Sequence, residues 1–153
     1  MKALVVYDSV FGNTEKVAQA VAQALGCEAA KVPSVTPESL AGVALLVVGS
    51  PTRAFHATPA TMAWIKALPP NALSGVKVAA FDTRIPAEES GSGFLKLMMK
   101  LFGYAAKPIL GALQKKGGQA GAVGEGFYVN ASEGPLRDGE IERATAWAAK
   151  LAA

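Results

Sequence analysis

Unbroken apolar runs at residues 3–7, 44–49, 76–81 and 122–129, with a weaker one at 28–32, form the pattern of strands buried on both faces. Between them the apolar period changes. Thr14, Val17, Ala18, Val21 and Leu25 recur three or four apart, as do Ile141, Ala144, Ala148 and Leu151, which is the stripe of a helix laid on a sheet. Thr36-Pro37-Glu38 and Thr58-Pro59 each set a capping hydroxyl before a proline whose fixed φ and missing N–H suit a first helical turn, so both predict helix starts. Strand and helix alternate without an internal repeat, and connections of this length join parallel strands. The pattern predicts a doubly wound α/β sheet of five parallel strands with helices on both faces, a three-layer sandwich.

Length and composition narrow this further. The 153 residues are close to the size of one domain, and the chain is expected to form a single domain over 1–153. A share of 51% hydrophobic against 18% charged residues belongs to a packed chain and argues against disorder. Cys27 is the only cysteine and His56 the only histidine, which leaves no disulfide, no thiolate cluster and no multi-histidine metal site. The net charge of +3 comes from fifteen Lys and Arg scattered among twelve Asp and Glu, with no basic stripe for nucleic acid. Lys2 runs straight into the first strand pattern without a cleavage-type spacer, so the cytoplasm is the expected compartment.

In a doubly wound sheet, ligands sit at the carboxyl ends of the strands where the strand order reverses. The first such loop, Asp8-Ser9-Val10-Phe11-Gly12-Asn13-Thr14, leaves a buried strand and opens a helix. Ser9 and Thr14 offer hydroxyls and Asn13 an amide, while Gly12 lets the backbone approach an anion at the helix N-terminus. Without GxGxxG or a P-loop lysine, the loop does not suit a dinucleotide or a nucleoside triphosphate. The same residue types also suit an ordinary capped strand-to-helix turn.

The run Val5-Val6-Tyr7-Asp8-Ser9-Val10-Phe11-Gly12-Asn13-Thr14-Glu15-Lys16-Val17-Ala18 resembles the phosphate signature of the flavodoxin family. Val5, Val6, Tyr7, Ser9, Gly12, Thr14 and Ala18 supply its aliphatics, aromatic, hydroxyl, small residue, threonine and alanine; Phe11 departs from it where members often carry a third hydroxyl. The resemblance implies strand order 2-1-3-4-5 and an FMN whose phosphate lies on Ser9, Val10, Phe11, Gly12, Asn13 and Thr14. The loop with Pro51, Thr52, Arg53, Phe55 and His56 is similar to the one covering a face of the flavin ring, for which Phe55 and His56 offer a wall. Many members place a glycine there for a peptide that bonds the reduced flavin. None occurs between Ser50 and Met62, which implies weak stabilisation of the one-electron-reduced state. The segment with Asp82, Thr83 and Arg84 resembles the loop on the pyrimidine side, with main-chain N–H groups at Thr83 and Arg84 on the ring carbonyls; without the family's stacking tyrosine, one flavin face is expected to be open. An uninterrupted last strand, followed by Ser132-Glu133-Gly134-Pro135, implies a short-chain member.

The stretch from Phe94 to Lys116 is longer and more apolar than a surface helix requires. On one helix, Lys96, Lys100 and Lys107 fall within roughly 40° of each other, leaving Leu95, Met98, Met99, Leu101, Phe102, Tyr104, Ile109 and Leu110 around most of the circumference. Gly103 and Pro108 predict two shorter pieces instead. Phe94 to Leu110 is read either as core or as a patch for a quinone or a membrane surface. The leading expectation is an FMN electron carrier between redox partner proteins, a reductase and an acceptor. The alternatives are an FMN-dependent reductase of a small acceptor such as a quinone, and an interaction module without flavin. The basic charge points to acidic partner surfaces or membranes.

Overall fold

A computed structural model describes residues 1–54, 56–86, 93–94, 96–97 and 103–153. In chain order the elements are β1 (Ala3–Tyr7), α1 (Asn13–Leu25), β2 (Ala29–Lys31), short 3-10 turns at Val32–Ser34 and Pro37–Leu40, β3 (Leu45–Pro51), α2 (Pro59–Ala67), β4 (Lys77–Arg84), α3 (Ala106–Lys115), β5 (Gln119–Ala120), β6 (Glu125–Tyr128) and α4 (Glu140–Ala152). The sheet runs β2-β1-β3-β4, with β5 and β6 sharing the fifth position against β4, and every pair is parallel. That is the order 2-1-3-4-5 of a flavodoxin-like sheet.

The strands bury both faces because their side chains alternate between two cores. Val6, Val48, Val78 and Ala80 pack with Ile65 of α2 and Ile109 and Leu113 of α3. Val5, Val47, Ala79, Phe81 and Phe127 pack on the other face with Val17 and Val21 of α1 and Trp147 of α4. Phe81, Phe127 and Trp147 meet edge to face, with ring centres 5.9–6.1 Å apart. A Cβ on Gly49 would stand 2.1 Å from the Phe81 ring, so the central strand needs glycine there.

Three expectations are corrected. The last strand is not uninterrupted over 122–129: β5 ends at Ala120 and β6 starts at Glu125. Opposite Val78 and Phe81, three residues apart on β4, stand Ala120 and Glu125, five apart, so the chain bulges by two residues. Gly121 and Gly124 permit it, since their Cβ atoms would stand 2.4 Å from the Lys77 side chain and 2.8 Å from that of Ala106. The run at 76–81 extends to Arg84, which places Asp82, Thr83 and Arg84 in a strand and not in a loop. Thr36-Pro37 opens only a four-residue 3-10 turn, closed by the reciprocal bonds of Thr36 and Ser39. Thr58 does start α2, its hydroxyl accepting the Thr61 N–H at 3.4 Å.

The predicted division of the apolar segment into two shorter pieces lies largely outside the described residues. Gly103 takes φ +73 ahead of α3, whereas Pro108 lies in the first turn of α3, where a missing N–H costs no helical bond. Ala105, Ala106, Ile109 and Leu113 are core, while Phe94 and Leu97 are exposed. Leu95, Met98, Met99, Lys100, Leu101 and Phe102 lie outside the described residues.

Candidate functional site

The loop from β1 to α1 stands where the sheet order reverses, and its own polar groups shape it. Asp8 N–H donates to Gly49 O at 3.1 Å, Ser9 N–H to Asp8 Oδ1 at 3.0 Å, and Gly12 N–H to Ser9 Oγ at 3.1 Å. Gly12 is the N-cap of α1 at φ +93, so no side chain caps the helix, and nothing stands within 4 Å of the place a Cβ would occupy. The first-turn N–H groups of α1 thus have no side-chain cap at the positive end of the helix dipole.

The hydroxyls and the amide predicted for an anion gather here. Thr14 Oγ1 lies 2.8 Å from Thr83 Oγ1, and both residues are buried. A hydroxyl that accepts one bond keeps its proton for another acceptor, so Ser9, accepting from Gly12, retains a donor, and Thr14 does too when Thr83 donates to it. Asn13 Nδ2 donates to Glu133 O at 3.2 Å, which draws in the loop 132–135. A Cβ on Gly134 would stand 2.6 Å from Asn13 Oδ1. Behind the loop, the Tyr7 hydroxyl donates to Glu15 Oε1 at 2.8 Å. Burial, then that bond and the Glu15 charge, push the phenol up to about 12.

The loop after β3 is stapled at several points. Pro51 pairs with Thr83 at the end of the sheet, and Thr52 N–H donates to Thr83 O at 2.9 Å. Thr52 Oγ1 accepts the Ala105 N–H at 3.0 Å, and Ser50 Oγ accepts the Thr58 N–H at 3.0 Å. Arg53 and His56 exchange backbone bonds of 2.7 and 2.9 Å around a tight turn in which Ala54 takes φ +48. Phe55 lies outside the described residues, and His56 is exposed. The Arg53 guanidinium sits 5.3 Å from the centre of the Phe11 ring, which brings the two loops together. Val10 and Phe11 are 51% and 47% exposed, an apolar rim beside the open helix end.

Strand alternation separates the three residues of β4. Thr83 points with Phe81 toward α1, whereas Asp82 and Arg84 point toward α3. Asp82 is fully buried; its oxygens accept from Arg84 Nε at 2.6 Å and Arg84 Nη2 at 2.7 Å, and from the Ala106 N–H at 2.9 Å. Burial holds this carboxyl above its ordinary range, against the opposing pull of Arg84 and of the Ala106 N–H. Arg84 also lies 3.7 Å from the centre of the Tyr104 ring. It crosses Gly126, where a Cβ would stand 2.1 Å from its Nε. The Arg84 charge is thus paired on the α3 side of the sheet, while Arg53 stands at the loop.

The structure therefore brings Ser9, Gly12, Asn13, Thr14 and the Thr83 hydroxyl together, sets Val10, Phe11 and Arg53 beside them, and turns Asp82 and Arg84 away. Sequence reasoning assigned only the backbone of Thr83 and missed Glu133 and Gly134 as supports of Asn13. The period-two alternation of Phe81-Asp82-Thr83-Arg84 was the available signal for Thr83. Among the described residues, no three metal-ligating side chains cluster, and no helix is long and apolar enough to cross a membrane.

A family model described as a flavodoxin domain matches residues 4–116. Among solved structures, the chain is similar to a flavodoxin from the domain Archaea at 18% identity and a TM-score of 0.73, covering 99% of this chain and 96% of that one. It is similar to flavodoxin 1 from Bacillus cereus at 17% identity and a TM-score of 0.74, covering 99% and 97%. A short-chain flavodoxin associated with a non-canonical PDU bacterial microcompartment gives 18% identity, a TM-score of 0.69 and coverage of 99% and 97%. At these identities the likeness is one of fold. Comparison with curated protein sequences gives no match.

Proposed function

Because the chain belongs to the flavodoxin family, whose members imply a flavin cofactor, we propose that it binds FMN at the loops after β1 and β3 and carries electrons between redox partner proteins. The observation that carries this reading is the uncapped start of α1 at Gly12, ringed by the hydroxyls of Ser9 and Thr14. A phosphate has the donors it needs there: first-turn N–H groups, the Ser9 hydroxyl, the Thr14 hydroxyl when Thr83 donates to it, and the remaining amide hydrogen of Asn13. Bound FMN supplies the one-electron chemistry. The protein's own residues bind and orient it: Thr83 aims Thr14, Glu133 fixes Asn13, and the bonds of Thr52, Arg53, His56 and Thr58 preorganise a wall after β3. Phe11, with Arg53 across it, supplies apolar cover at the rim. The net charge of +3 favours partners with acidic surfaces.

The test is the purified protein itself. Yellow colour with a flavin spectrum, and FMN bound far more tightly than riboflavin, are the expected results. A colourless protein that binds neither would favour an interaction module, and equal affinity for both would remove the first loop from the site. A second reading, reduction of a small acceptor such as a quinone, is favoured by the exposed Phe94 and Leu97 and the apolar rim. Sustained quinone turnover with NADH or NADPH would select it.

A further inference from the structure

Helix α3 makes two choices against its own stability, and both face one cavity. Lys107 puts a cation in the first turn, at the positive end of the helix dipole, and Gly111 interrupts the middle of the helix. Packing does not require the glycine, since a Cβ there would meet nothing within 4 Å beyond its own helix. Lys107, Leu110, Gly111 and Gln114 share one side of α3, beside the core side of Ile109 and Leu113. That side is one wall of an open cavity of about 550 Å³, whose other walls include Arg84, Tyr104 and Val123 on the bulge between β5 and β6. The volume is that of a small-molecule site, and so is a lining of apolar residues with a few polar groups. Val123 is exposed, and an occupant would cover it. Local choices that cost stability gather where a function needs them.

The charge balance of the cavity selects the occupant. No acidic residue is among the described residues that line it. Asp82 is bound by Arg84 and by the Ala106 N–H, and Glu125, next to Gly124, is paired with Arg143 of α4. The Arg84 charge is thereby balanced, whereas Lys107 makes no ion pair among the described residues. Between Glu89 and Glu125 the sequence holds five lysines and no Asp or Glu. The N–H groups that start α3 are also taken, that of Ala105 by Thr52 Oγ1 and that of Ala106 by Asp82. The Lys107 side chain, and not the helix end, is therefore the group that meets an anion.

We propose that this cavity is a binding site for a small apolar molecule carrying a single anionic group, such as an aromatic carboxylate, with Lys107 on the anion and Gly111 making room for the ring. No residue of the loops after β1 and β3 is among its lining. The inference is thus independent of flavin binding, and its failure leaves the flavin reading untouched.

Titration with naphthoate in excess FMN, followed by calorimetry and methyl NMR, tests it. Saturable binding with a dissociation constant of about 1 mM or tighter is expected, with shifts at the methyl groups of Leu110 and Val123 and none at Val10. The neutral analogue naphthalenemethanol should bind about threefold to tenfold more weakly, and Lys107→Gln should bring the two ligands level. Gly111→Leu should abolish binding of both by filling the cavity, while Gly111→Ala should raise the melting temperature. No saturable binding, shifts at Val10 in place of Leu110 and Val123, equal affinities for the two ligands, or naphthoate binding that survives Gly111→Leu would each overturn the proposal. A lower melting temperature for Gly111→Ala would do so too, because packing would then account for the glycine. Should Gly111→Leu not fold, the methyl shifts and the two affinities of the unaltered protein decide.

Discussion

Thr14 at the start of α1 and Thr83 near the end of β4 share a buried hydroxyl-to-hydroxyl bond of 2.8 Å, although 69 residues separate them. The bond makes the orientation of a helix-start donor depend on a strand two positions across the sheet.

Thr14→Ala should weaken FMN binding about tenfold to a hundredfold, for the loss of a bond to a charged acceptor worth roughly 1.5–3 kcal/mol. Thr83→Val should cost less, about twofold to tenfold, since it removes only the partner that orients Thr14. Titration with FMN and riboflavin checks both. If Thr14 acts only in the helix turn, the two flavins will keep their original ratio of affinities.

The potential of bound FMN should depend on Arg53 and little on Arg84. Arg53 stands at the loop after β3, whereas Arg84 is paired with Asp82 on the α3 side of β4. A unit charge about 8 Å from a flavin that gains an electron interacts with it by about 0.5–2 kcal/mol, or roughly 20–90 mV. Arg53→Glu should therefore lower the potential by tens of millivolts, and more at low salt, because Arg53 is exposed. Potentiometric titration showing no change, or a rise, would separate Arg53 from the flavin.

Asp82→Asn should lower the melting temperature. It leaves the Arg84 guanidinium without its counter-charge and weakens the acceptor at the start of α3. Roughly 3 kcal/mol is expected, the low end for breaking a buried pair because Arg84 keeps some solvent contact. For a chain of this size that is a fall of about 6–12 °C. A Tm shift of under about 2 °C would mean that the pair contributes little.

Alkaline stability should carry the mark of Tyr7. Its phenol is raised to about 12 in the fold, above the ordinary value near 10, so folding favours the neutral form. The resulting stability is fully present below about pH 10 and is lost as pH rises from there through about 12. Denaturant unfolding of the unaltered protein and Tyr7→Phe should show the difference between them shrinking across that window. A gap that stays constant to high pH would assign the Tyr7 contribution to packing.

The first loop was legible in the sequence because an anion at a helix start needs a few residue types within a short span, and Ser9, Gly12, Asn13 and Thr14 supply them consecutively. The parallel sheet followed from the alternation of strand and helix, and its strand order from the family resemblance alone. Asp82 and Arg84 hid the end of β4, since a charge interrupting an apolar run reads as the start of a loop. Only the bidentate pair, invisible along the chain, allows them in a buried strand. The split last strand was hidden for the opposite reason: Gly121-Ala122-Val123-Gly124 continues the apolar texture while Val123 stands 85% exposed on a bulge. Glu133 could not be foreseen, because its contribution is a backbone carbonyl.

Gly126 has no side chain, yet it decides the fate of a charge pair on the neighbouring strand. Any other residue there would drive its first carbon into the Arg84 guanidinium, only 2.1 Å away at Nε. The guanidinium would have to swing off Asp82 and strand a carboxylate in the core. In the currency of heredity, a single change at position 126 therefore carries a cost set elsewhere, because the tip of Arg84 yields space only by giving up Asp82. A lineage leaves glycine there most cheaply when Arg84 shortens as well and Asp82 finds another answer, so these three positions are expected to drift together.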